Sequence, residues 1–348
     1  MTSYATVPPQ RIVDGVATIK IIESKVGDLN IEGEKWTREW YLKHIIMGKA
    51  GLREGDVFNA KNLQRAMKEI NKEDYVQVQT EIERAAEGDE NTEITLNVRD
   101  RFPVNLDLRY DNQGRDAIGT QRGVLYAGLH DVTGHGDTLM GTLAVSKHSL
   151  GAGGMYSLPI AKNDTRLNLG YSYSHVGLHN AFDRHPYFKD AHLKGDSHDY
   201  FVGVSRRLAK GTDYRLYGDV TFDWRDTETK GWNGAYKDRY RSRVLRGTLT
   251  DVKDDYYGRW LFTGTVAGGI PIDASDYRMD KSKSSNNFVK LNAGAARLQV
   301  LPHNQLAILQ VNGQYANRHL FASEAFQVGG MSSVRGYDEG YYIGDYGV

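Results

Sequence analysis

The sequence predicts a small α+β domain followed by an antiparallel β-barrel that crosses a membrane with its strands. Three observations carry this. Apolar residues at helical spacing are confined to roughly the first hundred residues. From Phe102 onward the chain runs in segments of about 10–12 residues that alternate apolar and polar, longer than the usual globular strand of about 5–6 and long enough to cross a bilayer when tilted. The links between these segments alternate between short and long.

In the first region Val16–Glu23 (VATIKIIE) is β-branched and reads as a strand, and Asp28–Glu32 (DLNIE) as a short second one. Trp36–Met47 carries Trp36, Trp40, Tyr41 and Ile45 at helical spacing, and GKAGLREGDVF is a glycine-punctuated loop. Asn59 is an N-cap for a helix over Ala60–Asn71, with Leu63, Met67 and Ile70 on one face. Tyr75–Glu83 alternates, EGDEN turns, and Glu93–Val98 closes a hairpin. The order β-α-α-β-β makes a small sheet with two helices on one face. Val76–Glu83 is its edge, because the last strand lies between it and the first. An open edge can accept an extended client through backbone hydrogen bonds, with Val76, Val78, Thr80 and Ile82 as the docking residues. Equally, Glu81, Glu83 and Arg84 can guard the edge against aggregation.

In the second region, Val104-Leu106-Leu108-Tyr110 alternates with Asn105-Asp107-Arg109-Asp111, and Tyr214-Leu216-Gly218-Val220-Phe222-Trp224 with Arg215-Tyr217-Asp219-Thr221-Asp223-Arg225. Eleven strands are predicted, near 103–112, 120–131, 137–147, 152–160, 165–176, 198–209, 213–227, 239–252, 259–270, 286–301 and 306–319. Tyr110, Tyr173 and Trp224 are aromatic strand ends. Every second link is short (TGHGD, AKNDT, KGT, YYGR, PHNQ). Most of the others are long, as in HNAFDRHPYFKDAHLKGD, TKGWNGAYKD and PIDASDYRMDKSKSS. Short periplasmic turns and long extracellular loops are the sign of an outer-membrane barrel. The first domain feeds the short-turn rim, which places it in the periplasm. Arg109, Arg215, Asp219 and Arg225 face the lumen, where they either line a conduit or simply hydrate a wall. Eleven is odd, whereas bacterial single-chain barrels have even strand numbers and open edges are costly in lipid. The chain therefore reads as a fragment lacking both ends.

Composition narrows the function classes. The 348 residues hold 44 basic and 44 acidic side chains, so zero net charge gives no case for nucleic acid. Cysteine is absent, which removes disulfides and thiol chemistry. Mean hydropathy is -0.56 and no apolar run is long enough for a membrane helix, which leaves a strand-built membrane protein open. The opening MTSYATVPPQ has neither the basic start nor the apolar core of a signal peptide. His130/His135 and His175/His179 fall on strand ends or loops without an HExxH pattern, and neither GxxxxGK nor GxSxG occurs. No catalytic residue, cofactor or metal is expected.

The chain ends on VGGMSSVRGYDEGYYIGDYGV, too long and glycine-rich for a simple turn. Its candidate functional residues are Phe326, Gly329, Gly330, Val334, Arg335, Gly336, Tyr337, Gly344, Asp345 and Gly347. A guanidinium in a polar lumen offers a fixed fork of donors suited to a carboxylate clamp, and glycines allow tight turns and close approach to a wall. The alternative is an exposed loop with an incidental arginine.

This GG-x-x-S-VRGY block with its following GD-x-G resembles the conserved loop of two-partner secretion transporters, in the superfamily that also holds BamA-type assembly factors. Tyr110-Asp111-Asn112-x-Gly114 resembles that branch's DN-x-G segment, and Tyr156-Ser157-Leu158-Pro159-Ile160 its Y-S-x-P strand end. The β-α-α-β-β unit resembles a POTRA domain. The resemblance covers nearly the whole chain. It implies two POTRA domains and a sixteen-stranded barrel, of which this chain holds about eleven strands. Residues 1–24 would be a remnant of the first POTRA domain and 25–100 the second. Residues 101–348 would be the barrel, truncated after an inward loop between strands eleven and twelve. In the family the loop's arginine pairs with an aspartate on a later strand, which lies beyond Val348. The implied function is ATP-independent transport of a secreted partner exoprotein, a β-helical adhesin or haemolysin-like protein, across the bacterial outer membrane and its lipid. An outer-membrane protein insertion factor is the alternative.

Overall fold

The structure, a computed structural model, describes all residues except 1–3, 11–16, 50, 72–74, 85–90, 116–117, 162–163, 179–191, 272–285 and 331–332. All of the expected EGDEN turn but Asn91, most of the two longest links, and His179 thus lie outside the described residues; of the expected first strand Val16–Glu23, Val16 lies outside them and only Lys20–Ile22 is strand. The chain divides into two compact units, residues 1–104 with 130–136, and residues 105–129 with 137–348.

The first unit holds β1 (Tyr4–Thr6) paired antiparallel with β2 (Lys20–Ile22), and a three-stranded sheet. That sheet is formed by β3 (Lys25–Glu32), β4 (Val76–Arg84) and β5 (Asn91–Asp100) in the order β3-β5-β4, with β3 parallel and β4 antiparallel to β5. β4 is an edge, as the sequence predicts. Alternation puts Thr92, Ile94, Leu96 and Val98 of β5 and Val76 and Val78 of β4 on one buried face. Against it pack Leu63, Ala66 and Ile70 of α2 (Ala60–Ile70), with Met67 only partly buried. Asn59 caps α2 by accepting from the N–H groups of Lys61 and Asn62 at 3.0 and 3.3 Å, worth about 1 kcal/mol.

The first helix is shorter than the predicted Trp36–Met47. It comprises α1 (Glu39–Lys43) and a π-helical turn over His44–Lys49. The cause is Asp100. Its carboxylate accepts the backbone N–H groups of Lys35, Trp36 and Thr37 at 3.1, 2.8 and 2.6 Å, which holds those residues out of the helix. Partial burial pushes the Asp100 carboxyl up, but the N–H donors of Thr37, Trp36 and Lys35 outweigh it and hold it below the usual carboxylate range. The wide π turn lets the consecutive Ile45 and Ile46 both reach the core. Of the four residues predicted at helical spacing, Tyr41 and Ile45 are buried and Trp36 and Trp40 are exposed; Leu42 and Ile46 are buried in their place.

The second unit is one antiparallel sheet of eleven strands in sequence order. They are β6 (Val104–Asp111), β7 (Arg122–His130), β8 (Thr138–Ser146), β9 (Ser149–Ala161), β10 (Thr165–Leu178) and β11 (Leu193–Lys210), followed by β12 (Tyr214–Gly231), β13 (Tyr236–Asp255), β14 (Gly258–Gly269), β15 (Val289–Leu301) and β16 (Gln305–Ala316). β6 and β16 are its two edges, so the described strands form an open sheet. A hairpin of β17 (Phe326–Val328) and β18 (Tyr342–Gly344) follows.

Candidate functional site

The site is built on one face of the large sheet. Along β12 the side chains of Tyr214, Leu216, Val220, Phe222 and Trp224 point to one face, on which Gly218 also lies, with Val220 56% exposed. Ten residues at about 3.3 Å each, inclined by about 40°, rise roughly 25 Å, the height of an outer-membrane apolar band. Tyr171, Tyr200 and Trp224 are register neighbours at one rim, with ring centroids 4.9 and 5.8 Å apart. Beyond them the same face turns polar. Asp196 accepts from Tyr173 and lies 2.8 Å from His175, and Asp226 pairs with Arg239.

The opposite face is largely polar, and most of its charges are paired. Arg225 pairs with Asp199, Arg246 with Asp223, and Arg215 with Asp254 at 2.5 Å. Of the lumen-facing residues predicted, Arg215 and Arg225 thus have strand-to-strand partners and Arg109 binds Asp107 at 2.8 Å, which favours a hydrated wall for each singly. Asp219 lies on the same face, half-buried.

The terminal segment folds as the β17–β18 hairpin. Phe326 pairs with Gly344 and Val328 with Tyr342. Gly329 and Gly330 have φ of 116° and 92°, which only glycine adopts without strain, and a side chain on Gly329 would collide with the Asp338 carbonyl. Gly330 N–H donates to the Tyr337 carbonyl at 2.9 Å, closing the turn around Val334, Arg335 and Gly336. Arg335 is exposed, with no ion-pair partner among the described residues. Tyr337 packs beside Tyr341 and Tyr342. Toward the tip Glu339 reaches Arg122 at 3.4 Å, and Arg122 is itself bound to Asp111 at 2.9 Å. Asp111 belongs to the DN-x-G segment, whose Gly114 lies so close to the Gly119 carbonyl that a side chain has no room.

Asp345 accepts from Leu320 N–H at 2.8 Å and sits 2.6 Å from His319 Nδ1, which must carry the hydrogen because a carboxylate only accepts. Gly347 exchanges two backbone hydrogen bonds with Gln314 on the free edge of β16, at 2.8 and 3.0 Å. Sequence reasoning missed one residue at the hairpin's base. Glu324, 4% exposed, meets Arg246 and Lys290, both on the polar face, beside the apolar cluster Val244, Ala267, Phe288, Ala316 and Leu320. The available signal was a charge at an inward position on each of two strands, Arg246 and Lys290, with no carboxylate directly opposite either one in register.

In the first unit the β4 edge is partly occupied. The Asn71 amide donates to the Val78 carbonyl at 3.0 Å and accepts from its N–H at 2.7 Å. Val76 and Val78 give their side chains to the core, so they can offer a client backbone only, and Val78 has none to spare. By alternation the outward backbone groups are those of Val76, Thr80 and Ile82. Glu81 and Glu83 point away from the helices into solvent. His130 stacks on Tyr75 at 5.6 Å and His135 meets Trp40 edge-on at 4.6 Å, so these histidines serve as aromatic partners.

Residues 90–348 match the family of haemolysin secretion/activation proteins ShlB/FhaC/HecB, and residues 24–101 match the POTRA module, described as a surface antigen variable number repeat. The heme/hemopexin transporter protein HuxB of Haemophilus influenzae (strain 86-028NP) is 22% identical over 98% of this chain and 60% of its own length. The outer membrane transporter CdiB of Dickeya dadantii is 25% identical over 100% of this chain and 61% of its own. Among solved structures, CdiB from Escherichia coli superposes with a TM-score of 0.74 at 20% identity, covering 100% of this chain and 64% of that one. BamA from Haemophilus ducreyi lacking POTRA domains 1–3 gives 0.61 at 12%, covering 97% and 66%. The chain spans about three fifths of the curated relatives it matches. It belongs to the haemolysin secretion/activation family, proteins of the bacterial outer membrane whose POTRA region faces the periplasm.

Proposed function

We propose that this member of the haemolysin secretion/activation family is part of a two-partner secretion transporter, which recognises a partner exoprotein in the periplasm and passes it to the cell surface without ATP. The observation that carries the reading is the VRGY hairpin, seated on the polar face of a sheet whose other face is an apolar band. The reading assigns the chain no reaction chemistry; folding of the client outside would drive the step. The outer face meets outer-membrane lipid. The client is a β-helical adhesin or haemolysin-like protein, met first as an extended segment along β4, where Thr80 and Ile82 keep outward backbone groups. Residues 1–24 are the end of a preceding POTRA domain and 25–100 a complete one.

Arg335 holds the loop in a transport-competent position through a carboxylate on a later strand. In a full-length version, Arg335→Ala abolishes secretion while the barrel remains inserted and heat-modifiable; normal secretion by that variant overturns the assignment. The likeness to BamA supports a second reading, an assembly factor that inserts other barrels. Reconstituted protein that inserts unrelated barrels, yet leaves a cognate exoprotein unexported, would favour that reading.

A further inference from the structure

We propose that Glu324 is a positioning residue: it clamps the base of the hairpin to the wall and so sets where the VRGY tip lies. This rests on the transport reading for its consequence, though not for its geometry. Glu324 stands two residues before β17, so any displacement at its position is carried into the hairpin. Arg246 Nη2 lies 2.5 Å from Glu324 Oε1, and Lys290 Nζ lies 2.7 Å from Oε2. The Lys290 ammonium also donates to the Glu324 main-chain carbonyl at 2.9 Å, and Gln314 Nε2 donates to the same carbonyl at 3.2 Å. The Lys290 ammonium thus meets both the carboxylate and the main-chain carbonyl of Glu324.

The clamp is thus held from three strands, β13, β15 and β16, and grips main chain as well as side chain. It is electrically closed, because the carboxylates of Glu324 and Asp223 together balance the single charges on Arg246 and Lys290. Side-chain exposures of 3% for Glu324, 9% for Lys290 and 25% for Arg246 leave it little screened by solvent.

The tip has the opposite character. Its one ion pair to the wall among the described residues, Arg122 with Glu339, is long, with Glu339 53% exposed. Exposed pairs of that kind hold little. A hairpin fixed hard at its base and lightly at its tip takes its position from the base. Glu324 therefore acts on Arg335 from a distance, through the β17–β18 ladder.

The experiment uses a full-length version with spin labels on cysteines introduced at Asp338, near the tip, and Tyr256, in the β13–β14 turn. Both side chains are exposed, and the 348-residue chain has no cysteine of its own to compete for label. The distance distribution between the labels should be narrow in the parent. It should broaden in Glu324→Gln, with secretion down at least tenfold and the barrel still heat-modifiable. The double variant Glu324→Gln/Lys290→Gln removes the carboxylate together with a cation it faces. A merely structural role in charge balance predicts that this second change restores both readouts; a positioning role predicts that the loop stays loose.

A narrow distribution with normal secretion in Glu324→Gln, or restoration by the double variant, overturns the proposal. Should Glu324→Gln fail to insert, Lys290→Gln alone, which leaves Arg246 facing the carboxylate, must give an intermediate broadening, and an unchanged distribution refutes the clamp. If the labels show a loosened loop while Arg335→Ala secretes normally, the clamp stands and the transport role of the tip falls.

Discussion

The two units use the same two-residue alternation in opposite senses. In the three-stranded sheet Ile94, Leu96 and Val98 point into a core sealed by α1 and α2, and the other face of β4 is glutamine and glutamate. In the eleven-stranded sheet most apolar residues lie on one exposed face, and the opposite face carries ion pairs and hydroxyl pairs such as Thr248 with Thr265. An identical strand pattern therefore says nothing about which face is interior; the length of the strand and the presence of a covering helix do.

Exchanging polarity in each unit tests that contrast. Ile94→Asp leaves an uncompensated charge in the small core, costs ~3–5 kcal/mol and unfolds the first unit, read by loss of protease resistance. Leu249→Arg, near the middle of the outer band opposite Gly218, costs about 2–4 kcal/mol of barrel stability in lipid, read from urea unfolding in vesicles. Thr248→Arg, on the opposite face of the same strand, costs about 1 kcal/mol or less, the worth of a neutral hydrogen bond. Equal costs at Leu249 and Thr248 would break the assignment of faces.

A smaller effect separates the units by pH. Asp100 has its folded-state carboxyl held below its unfolded value, so its stabilisation is present at neutral pH. It disappears as pH falls through the lowered value, below about pH 4. Asp100→Asn loses about 1–3 kcal/mol at pH 7, and the gap to the parent closes in acid. A gap that widens in acid would contradict this sign. The smallest effect concerns the open edge. Asn71→Ala costs about 1 kcal/mol but frees the Val78 backbone, so an extended client peptide protects one more residue pair from hydrogen exchange.

The contrast also explains what was legible in the sequence. All eleven strands and both small-domain helices could be placed, because each buries or exposes one continuous face. The limits of β11, β12 and β13 fell short, near 198–209, 213–227 and 239–252 against Leu193–Lys210, Tyr214–Gly231 and Tyr236–Asp255. Past the aromatic row, residues such as Asp196, Glu228 and Arg239 stand on the outer face. Both faces are then polar and alternation carries no signal. Glycines and Arg335 marked the hairpin, but Glu324 is a single acid in an irregular stretch whose partners lie 34 and 78 residues away. No periodicity reports such a contact. Asn71 reads equally as the end of α2 and says nothing by itself of the strand it covers.

The link between β7 and β8 looks from its length like any other short turn, yet residues 130–136 belong to the first unit. Arg38 Nη1 donates to the Thr133 carbonyl at 2.9 Å, and side chains at Gly134 and Gly136 would strike Trp40 and Tyr41. This turn therefore answers to two masters, the hairpin it closes and the helix it lies beside. The other turns can drift in length and composition as surface loops do. In this one, an inserted residue would disturb a domain whose own sequence ended some thirty positions earlier. Swapping periplasmic modules between relatives would then require carrying TGHGD along with them.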